Sequence, residues 1–104
     1  AVLGITEDVP ESYHRILGNR IVNNAKGDGV ENILDLMTAK GYEATMEKAA
    51  AQKALGADVI ALSCTGMSSI QIASSIEKAV GIPVLDPVMC EGLLTVFELL
   101  RKEI

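Results

Sequence analysis

The sequence predicts an α/β fold in which a four-stranded parallel sheet, in the strand order 2-1-3-4, carries helices on both faces. Short apolar runs alternate along the chain with stretches of helical pattern, as in consecutive βαβ units. Residues 58–63 (DVIALS) have the nearly continuous apolar character of a strand buried on both faces. Because parallel crossovers are almost always right-handed, these elements most simply place strands 1 and 3 side by side.

Four segments are predicted as strands: residues 1–5, 20–23, 58–63 and 82–85. The run at 20–23 is the shortest apolar signal of the four. The segment at 58–63 is expected in the middle of the sheet because it has no polar alternation.

The first helix is predicted between strands 1 and 2. Asp8 is expected to cap it, with Pro10 and Glu11 in its first turn, and Gly18 ends it. A capping side chain followed by proline at the first helical position is a common start signal.

Between strands 2 and 3, residues 26–40 are predicted as a loop that holds one helical turn at most, because two glycines precede an ILDLM patch. Residues 43–55 are rich in Ala, Lys, Glu and Gln, and they predict a helix that Gly56 closes.

Two more helices are predicted after strand 3. Ser68 and Gln71 have the spacing of a capping box, which predicts a helix over residues 69–80 that stops at Gly81. The second of these helices has its own N-terminal start signal, directly after strand 4.

In that signal Asp86 is the expected cap and Pro87 the first helical residue. The last helix is predicted to run toward Lys102. With no low-complexity tract or linker, residues 1–104 are predicted to form a single domain.

Composition restricts the possible ligands. The formal net charge is -5, spread over scattered acidic residues, which argues against nucleic acid or an anionic membrane as a partner. The longest apolar stretches are about six residues, far below the roughly 20 that span a bilayer. A soluble protein with a small-molecule ligand is therefore expected.

The two cysteines form no CxxC motif and the chain has one histidine, which fits neither a disulfide framework nor a zinc site. A reducing cytoplasm is the expected location. No metal is predicted.

The predicted topology indicates two candidate ligand-binding residues. Strands 1 and 3 are neighbours whose connections leave in opposite directions, and ligands of open α/β sheets bind at such a switch point, outside the carboxyl ends of the strands. The residues that end these strands are Thr6 and Cys64.

Cys64 also lies just before a predicted helix, where unpaired N–H groups and the helix dipole favour the thiolate. The amides of Thr65, Gly66 and Met67 are candidates to bind a carboxylate beside the sulfur. A small buried cysteine that only packs is an equally weighted alternative.

Three other types of protein are excluded because this chain lacks, at the required position, a residue that each of them needs. A cysteine phosphatase loop requires Arg six residues after the nucleophile, where this chain has Ile70. A Cys-His hydrolase requires His14, which is predicted on a helix surface away from the edge. A phosphoacceptor domain requires Asp at the end of strand 3, where Ser63 stands.

The stretches GADVIALSCTGMSSI and GIPVLDPV resemble the second lobe of the aspartate/glutamate/hydantoin racemase superfamily. The family pattern is an apolar strand, a Cys-Thr turn and a later Pro-Val-hydrophobic-Asp strand. The opening AVLGIT is similar to the first strand of that lobe, so the resemblance covers essentially the whole chain. The Gly-Met pair after Cys-Thr is closer to the hydantoin branch.

The resemblance implies a two-lobe, cofactor-independent enzyme in which one cysteine from each lobe faces the substrate α-carbon. One thiolate removes the α-proton and the opposite thiol returns it. Cys64 takes the second-lobe role, Thr65 and Gly66 offer backbone donors, and Thr6 contacts an amino-acid or hydantoin-like substrate. Two further residues, Met67 and Ser68, are predicted either to line the pocket or to act only as turn and cap.

The departures from the family pattern concern the first lobe. No Pro-Asn-Thr turn with a strand-ending cysteine is present, and Cys90, in the last helix, does not replace it. Asp86 fits the family strand, although its plain role is a helix cap. The chain is therefore expected to be one lobe, a fragment of a longer two-lobe chain, and to be inactive alone unless two copies of it pair.

Three alternatives stay open. Relatives on this scaffold decarboxylate arylmalonates or isomerise maleate, and the amides near Gly66 would also suit a non-catalytic anion-binding module.

Overall fold

Four short parallel strands form the sheet of this protein, which a computed structural model describes over residues 1–103. The strands are β1 (Val2–Gly4), β2 (Asn24–Lys26), β3 (Ile60–Leu62) and β4 (Val84–Leu85). They pair in the order β2-β1-β3-β4, every pair parallel. The predicted fold class and strand order are confirmed.

Helices surround this sheet. They are α1 (Glu11–Leu17), α2 (Ile33–Leu36), α3 (Ala39–Ala54), α4 (Gly66–Ser69), α5 (Ile72–Val80) and α6 (Pro87–Lys102). A 3-10 turn, Gly18–Arg20, follows α1. Over residues 1–103, no helix combines the length and apolar character that crossing a membrane requires.

The main core lies on one face of the sheet. Alternate strand residues point to opposite faces, and Leu3, Ile60 and Leu62 point into this core. The other face is more open: Val2 and Ala61 line a groove of about 330 Å³ there. Helices supply the remaining core side chains, which include Val30, Leu36, Ala49, Met67, Ile72, Ile76 and Val80.

Helix α3 is attached to the sheet by a buried amide. Its buried residues lie at successive turns of one face and are Gly41, Thr45, Ala49 and Gln52. The Nε2 of Gln52 donates to the carbonyl of Val2 at 2.7 Å and to Oδ1 of Asn23 at 3.1 Å. One side chain thus joins the helix to β1 and to the segment before β2.

The prediction for strand 2 was wrong. Residues 20–23 include the end of the 3-10 turn, and the strand begins at Asn24 because Asn24 pairs with Val2. The apolar pair Ile21 and Val22 suggested a strand, but both line the open groove beside the sheet.

The prediction that Asp8 caps α1 was also wrong. Pro10 holds the cap position, with no side-chain capping bond, while the carbonyl of Asp8 accepts a hydrogen bond from the Thr6 hydroxyl at 3.0 Å. The proline fixes the backbone before the helix. Gly18 ends the helix with φ +54°, as predicted.

The predicted loop at 26–40 contains more structure than expected. Asn32 caps α2 by accepting from the N–H of Asp35, and Thr38 caps α3 by accepting from the N–H of Gly41 at 3.0 Å. Helix α3 therefore begins at Ala39, four residues before the predicted start. Gly41, in the first turn of α3, lies directly against the Asp35 carbonyl, where a Cβ would overlap it.

The helix predicted over 69–80 begins three residues later than expected, as α5 at Ile72, and a separate short helix, α4, ends at Ser69. The backbone breaks at Gln71, a non-glycine residue with φ +54°, and α5 begins after it. The Ser68 side chain does not cap a helix, because its hydroxyl donates instead to Oδ1 of Asp86 at 2.6 Å. A long-range bond has replaced the local capping box.

Helix α6 follows its predicted start. Oδ1 of Asp86 accepts from the N–H groups of Val88 and Met89 at 2.9 and 3.1 Å, and Pro87 opens the helix. Every residue from Glu91 to Lys102 is exposed. The longest dimension of the chain is 48 Å, against 29 and 26 Å for the others.

Candidate functional site

The carboxyl ends of β1 and β3 form the edge at which the predicted site residues lie. Leu3 pairs with Leu62, so both strands leave the sheet at this edge. Strand β1 connects to β2 on one side and β3 to β4 on the other. This divergence is the topological switch point at which α/β sheets bind ligands. Thr6 and Cys64 each follow their strand by two residues.

Cys64 is a free, half-buried cysteine that packs against the edge of the core. Its carbonyl accepts a hydrogen bond from the N–H of Met67 at 3.0 Å, which closes the turn between β3 and α4. Helix α4 begins at Gly66, so Cys64 lies two residues before it. The thiol is therefore neither sealed in the interior nor fully exposed.

The turn leaves two of the three predicted amide donors available. The N–H of Met67 is committed to the Cys64 carbonyl, which corrects its predicted use for a ligand. Within the described chain, the N–H groups of Thr65 and Gly66 have no backbone acceptor. The side chain of Thr65 is exposed.

Gly66 lies against the side chain of Ile33 in α2. A Cβ at position 66 would overlap Cδ1 and Cγ1 of Ile33, so the close approach requires glycine unless Ile33 moves. The predicted loop at 26–40 thus contacts the cysteine turn through an ordered helix.

Met67 and Ser68 are placed differently from each other. The Met67 side chain is fully buried in the core, so it has no surface to offer a ligand. Ser68 is half-buried and lines a groove of about 570 Å³ between α5 and the start of α6. Cys64 is not among the residues that line this groove, whereas Asp86 and Cys90 are.

Asp86 is an acceptor for three donors. Partial burial raises the pKa of its carboxyl group, but hydrogen bonds from the Ser68 hydroxyl and from the N–H groups of Met89 and Val88 outweigh burial and hold that pKa below its usual value of 3.8. The predicted capping role is confirmed, and the bond to Ser68 joins α6 to α4.

Tyr13 of α1 was not predicted as a site residue. Its hydroxyl donates to the carbonyl of Leu62, the last residue of β3, at 3.1 Å. Burial raises the pKa of this phenol above 10.0, and charge repulsion from Cys90 adds to the increase. A strand-helix unit in the sequence indicates that α1 returns over the sheet, but not which residue of the helix reaches β3.

Thr6 is exposed, and its hydroxyl donates to the carbonyl of Asp8. It lies at the predicted edge, in a turn. His14 is exposed on α1, as predicted for a surface helix residue. In the part of the chain that is described, no three His, Cys, Asp or Glu side chains gather to hold a metal ion.

Comparison with known proteins gives one family. The model of the family described as Asp/Glu/Hydantoin racemase matches residues 3–91, from the start of β1 into the first turns of α6. No curated protein matches the chain.

Proposed function

The chain belongs to the Asp/Glu/hydantoin racemase family, and from this membership we propose that it forms one lobe of a cofactor-independent racemase or epimerase. Its substrate is an amino acid or a hydantoin-like compound, and Cys64 is one acid/base group. The observation that carries the proposal is the position of Cys64: a free, half-buried thiol after the central strand β3, at the switch point of the sheet.

The proposed step is a direct proton transfer. The Cys64 thiolate removes the α-proton, an S–H bond forms, and the C–H electron pair spreads into the adjacent carbonyl or carboxyl group. A second acid on the opposite face returns a proton to carbon, which inverts the centre. The N–H groups of Thr65 and Gly66 are proposed to bind the negative oxygen, and their lack of backbone acceptors in the described chain supports this role.

A second surface is part of this proposal. Cys64 does not line the 570 Å³ groove, so a substrate at the thiol needs cover from outside this lobe. We propose that residues 1–104 act as a single lobe against an N-terminal lobe or a second copy. Two free thiols suit a reducing compartment, and we assign the protein to the cytoplasm on that ground.

Assignment to the hydantoin branch rests on the Gly-Met pair that follows Thr65. The packing of Gly66 against Ile33 supports a structural need for glycine there. Met67 anchors the turn in the core. The pair therefore fixes the backbone beside the thiol, and substrate choice is proposed to depend on Thr6, Ser68 and the opposing surface.

Hydrogen exchange tests the proposal. In deuterated buffer the active protein should introduce deuterium at the α-carbon of a substrate from a panel of amino acids and 5-substituted hydantoins, followed by proton NMR. Cys64→Ser should slow exchange by at least about 100-fold, since general acid-base groups contribute 10² to 10⁴. Cys90→Ser is the matched thiol control and should retain exchange.

Exchange at the wild-type rate in Cys64→Ser would remove Cys64 from the mechanism. Analysis of the products separates the alternatives on this scaffold: release of carbon dioxide indicates an arylmalonate decarboxylase, and double-bond isomerisation indicates a maleate isomerase. Anion binding without turnover, with a Cys64 thiol that alkylates no faster than free cysteine, would favour the binding module.

A further inference from the structure

The end of β3 is bound by a side chain from α1. The Tyr13 hydroxyl donates to the carbonyl of Leu62, the last residue of the strand, at 3.1 Å. Only 1% of the surface of Leu62 is exposed, so its carbonyl needs a partner from within the protein. The bond also joins parts of the chain that are 49 positions apart.

The sheet itself does not give this carbonyl a donor. In the pairing of β3 with β4, the N–H of Ile60 donates to the carbonyl of Pro83 at 3.0 Å, which fixes the register of the hydrogen bonds. Continued along the strands, the evenly spaced parallel pattern sets the Leu62 carbonyl opposite the nitrogen of Pro87. Proline has no N–H to donate. The Tyr13 hydroxyl therefore takes the place of the missing donor.

The peptide unit between Leu62 and Ser63 is thus bound on two sides. Its carbonyl accepts from Tyr13, and its N–H donates to the carbonyl of Leu3 in β1 at 3.0 Å. Cys64 comes directly after this unit. The orientation of the unit consequently determines the direction in which the chain leaves the sheet toward the thiol.

Helix α1 approaches the sheet through two residues. Of Glu11–Leu17, only Tyr13 and Leu17 are half-buried, and the others are exposed. The phenol keeps its proton at neutral pH, because its pKa lies above 10.0, and it therefore remains a donor. A conserved polarity of this kind suits a fixed contact.

We propose that Tyr13 is a positioning residue for the cysteine turn, residues 64–67: its hydroxyl binds the Leu62 carbonyl that Pro87 leaves without a donor, and so holds Cys64 in place for proton transfer. The link to proton transfer rests on the proposed function. The positioning itself does not, and it is measured without substrate.

The rate at which iodoacetamide alkylates Cys64 tests the positioning. Tyr13→Phe leaves the Leu62 carbonyl without its donor, so the end of β3 should open toward water more often, and the half-buried thiol should be alkylated about tenfold faster. Mass spectrometry of tryptic peptides separates this thiol from Cys90, because Lys78 lies between the two.

Two variants are the controls. Tyr42→Phe removes the hydroxyl of the other tyrosine, which packs against the core from α3. Ile76→Val weakens the fold through the core and leaves the Tyr13 hydroxyl in place. Both should keep the alkylation rate within about twofold of the wild type. An unchanged rate in Tyr13→Phe, or an equal increase in Ile76→Val, would overturn the proposal.

A second substitution tests whether Tyr13 acts through this one carbonyl. Pro87→Ala supplies an N–H at the position that the sheet pattern assigns to the donor. The double variant Tyr13→Phe, Pro87→Ala should therefore be alkylated within about twofold of Pro87→Ala alone. A difference that stays about tenfold would show that Tyr13 acts through another group, and it would contradict the proposal.

Turnover tests the link to proton transfer. With a substrate whose α-proton exchanges, Tyr13→Phe should lower kcat about tenfold or more and leave KM within about twofold, because the displaced thiol and amides act in the transition state. A wild-type kcat in this variant would refute the link. If the wild type exchanges no substrate of the panel, the proposed function fails, and the alkylation rates still decide whether Tyr13 positions Cys64.

Discussion

The carboxylate of Asp86 shows how one residue serves two elements. It caps α6 by accepting from Val88 and Met89, and it accepts the Ser68 hydroxyl from α4. The capping role follows from the local sequence, because Asp before Pro is a common helix start. The bond to Ser68 spans 18 positions of the chain, and no local pattern indicates it.

Asp86 makes the free energy of unfolding depend on pH in the acid range. Its folded pKa lies below 3.8, so its contribution is fully present above that pH and is lost as the pH falls through the lower, folded value. Asp86→Asn keeps a capping side chain but removes the charge. The wild type should exceed it by about 0.5 kcal/mol or less in free energy of unfolding at neutral pH, because solvent screens this partly exposed carboxylate, and the difference should shrink in strong acid.

Urea denaturation over a series of pH values measures this difference. Ser68→Ala, which removes one donor to the carboxylate, should reduce the pH dependence without abolishing it. A gap between the wild type and Asp86→Asn that is constant with pH would show that the charge of Asp86 does not stabilise the fold.

At the scale of elements, apolar runs and helix end signals were sufficient to predict the strands and helices whose positions depend on local sequence. β1, β3 and β4 lie within their predicted segments, and α6 begins at its predicted cap. β2 begins later in the chain than the predicted segment, because its start depends on pairing with β1. The break between α4 and α5 was not predicted, and the residues on its two sides, Met67 and Ile72, are both buried in the core, which is a tertiary feature.

The bend at Gln71 carries a measurable strain. A non-glycine residue in the left-handed region costs about 1 kcal/mol or more, and glycine does not pay this cost. Gln71→Gly should therefore raise the free energy of unfolding by about 0.5 to 1 kcal/mol, whereas Gln71→Ala should not. Thermal unfolding of the two variants compares them directly, and a less stable Gln71→Gly would indicate that the Gln71 side chain contributes more than its backbone costs.

For the whole molecule, handedness of the crossovers was enough to predict the sheet order and thus the edge that carries Thr6 and Cys64. The surroundings of Cys64 were not predictable. Tyr13 and Ile33 reach this edge from α1 and α2 through tertiary contacts, and neither has a sequence signal that names its partner. The apolar face of α6 is visible in the sequence, but not that the domain leaves it uncovered.

The domain should fold without most of α6. Because residues from Glu91 to Lys102 are exposed, a chain that ends at Glu91 should keep its free energy of unfolding within about 0.5 kcal/mol of the full chain. Urea denaturation of the two chains is the measurement. A loss of about 2 kcal/mol or more would mean that α6 stabilises the body of the domain itself.

The contact between Gly66 and Ile33 restricts the order in which substitutions at these two positions can accumulate during evolution. A larger residue at 66 overlaps Ile33 as it stands. A smaller side chain at 33 removes that barrier at a modest cost in packing. Mutational histories that reshape the cysteine turn should therefore pass through position 33 first, so that two sites far apart in the chain evolve as one epistatic pair.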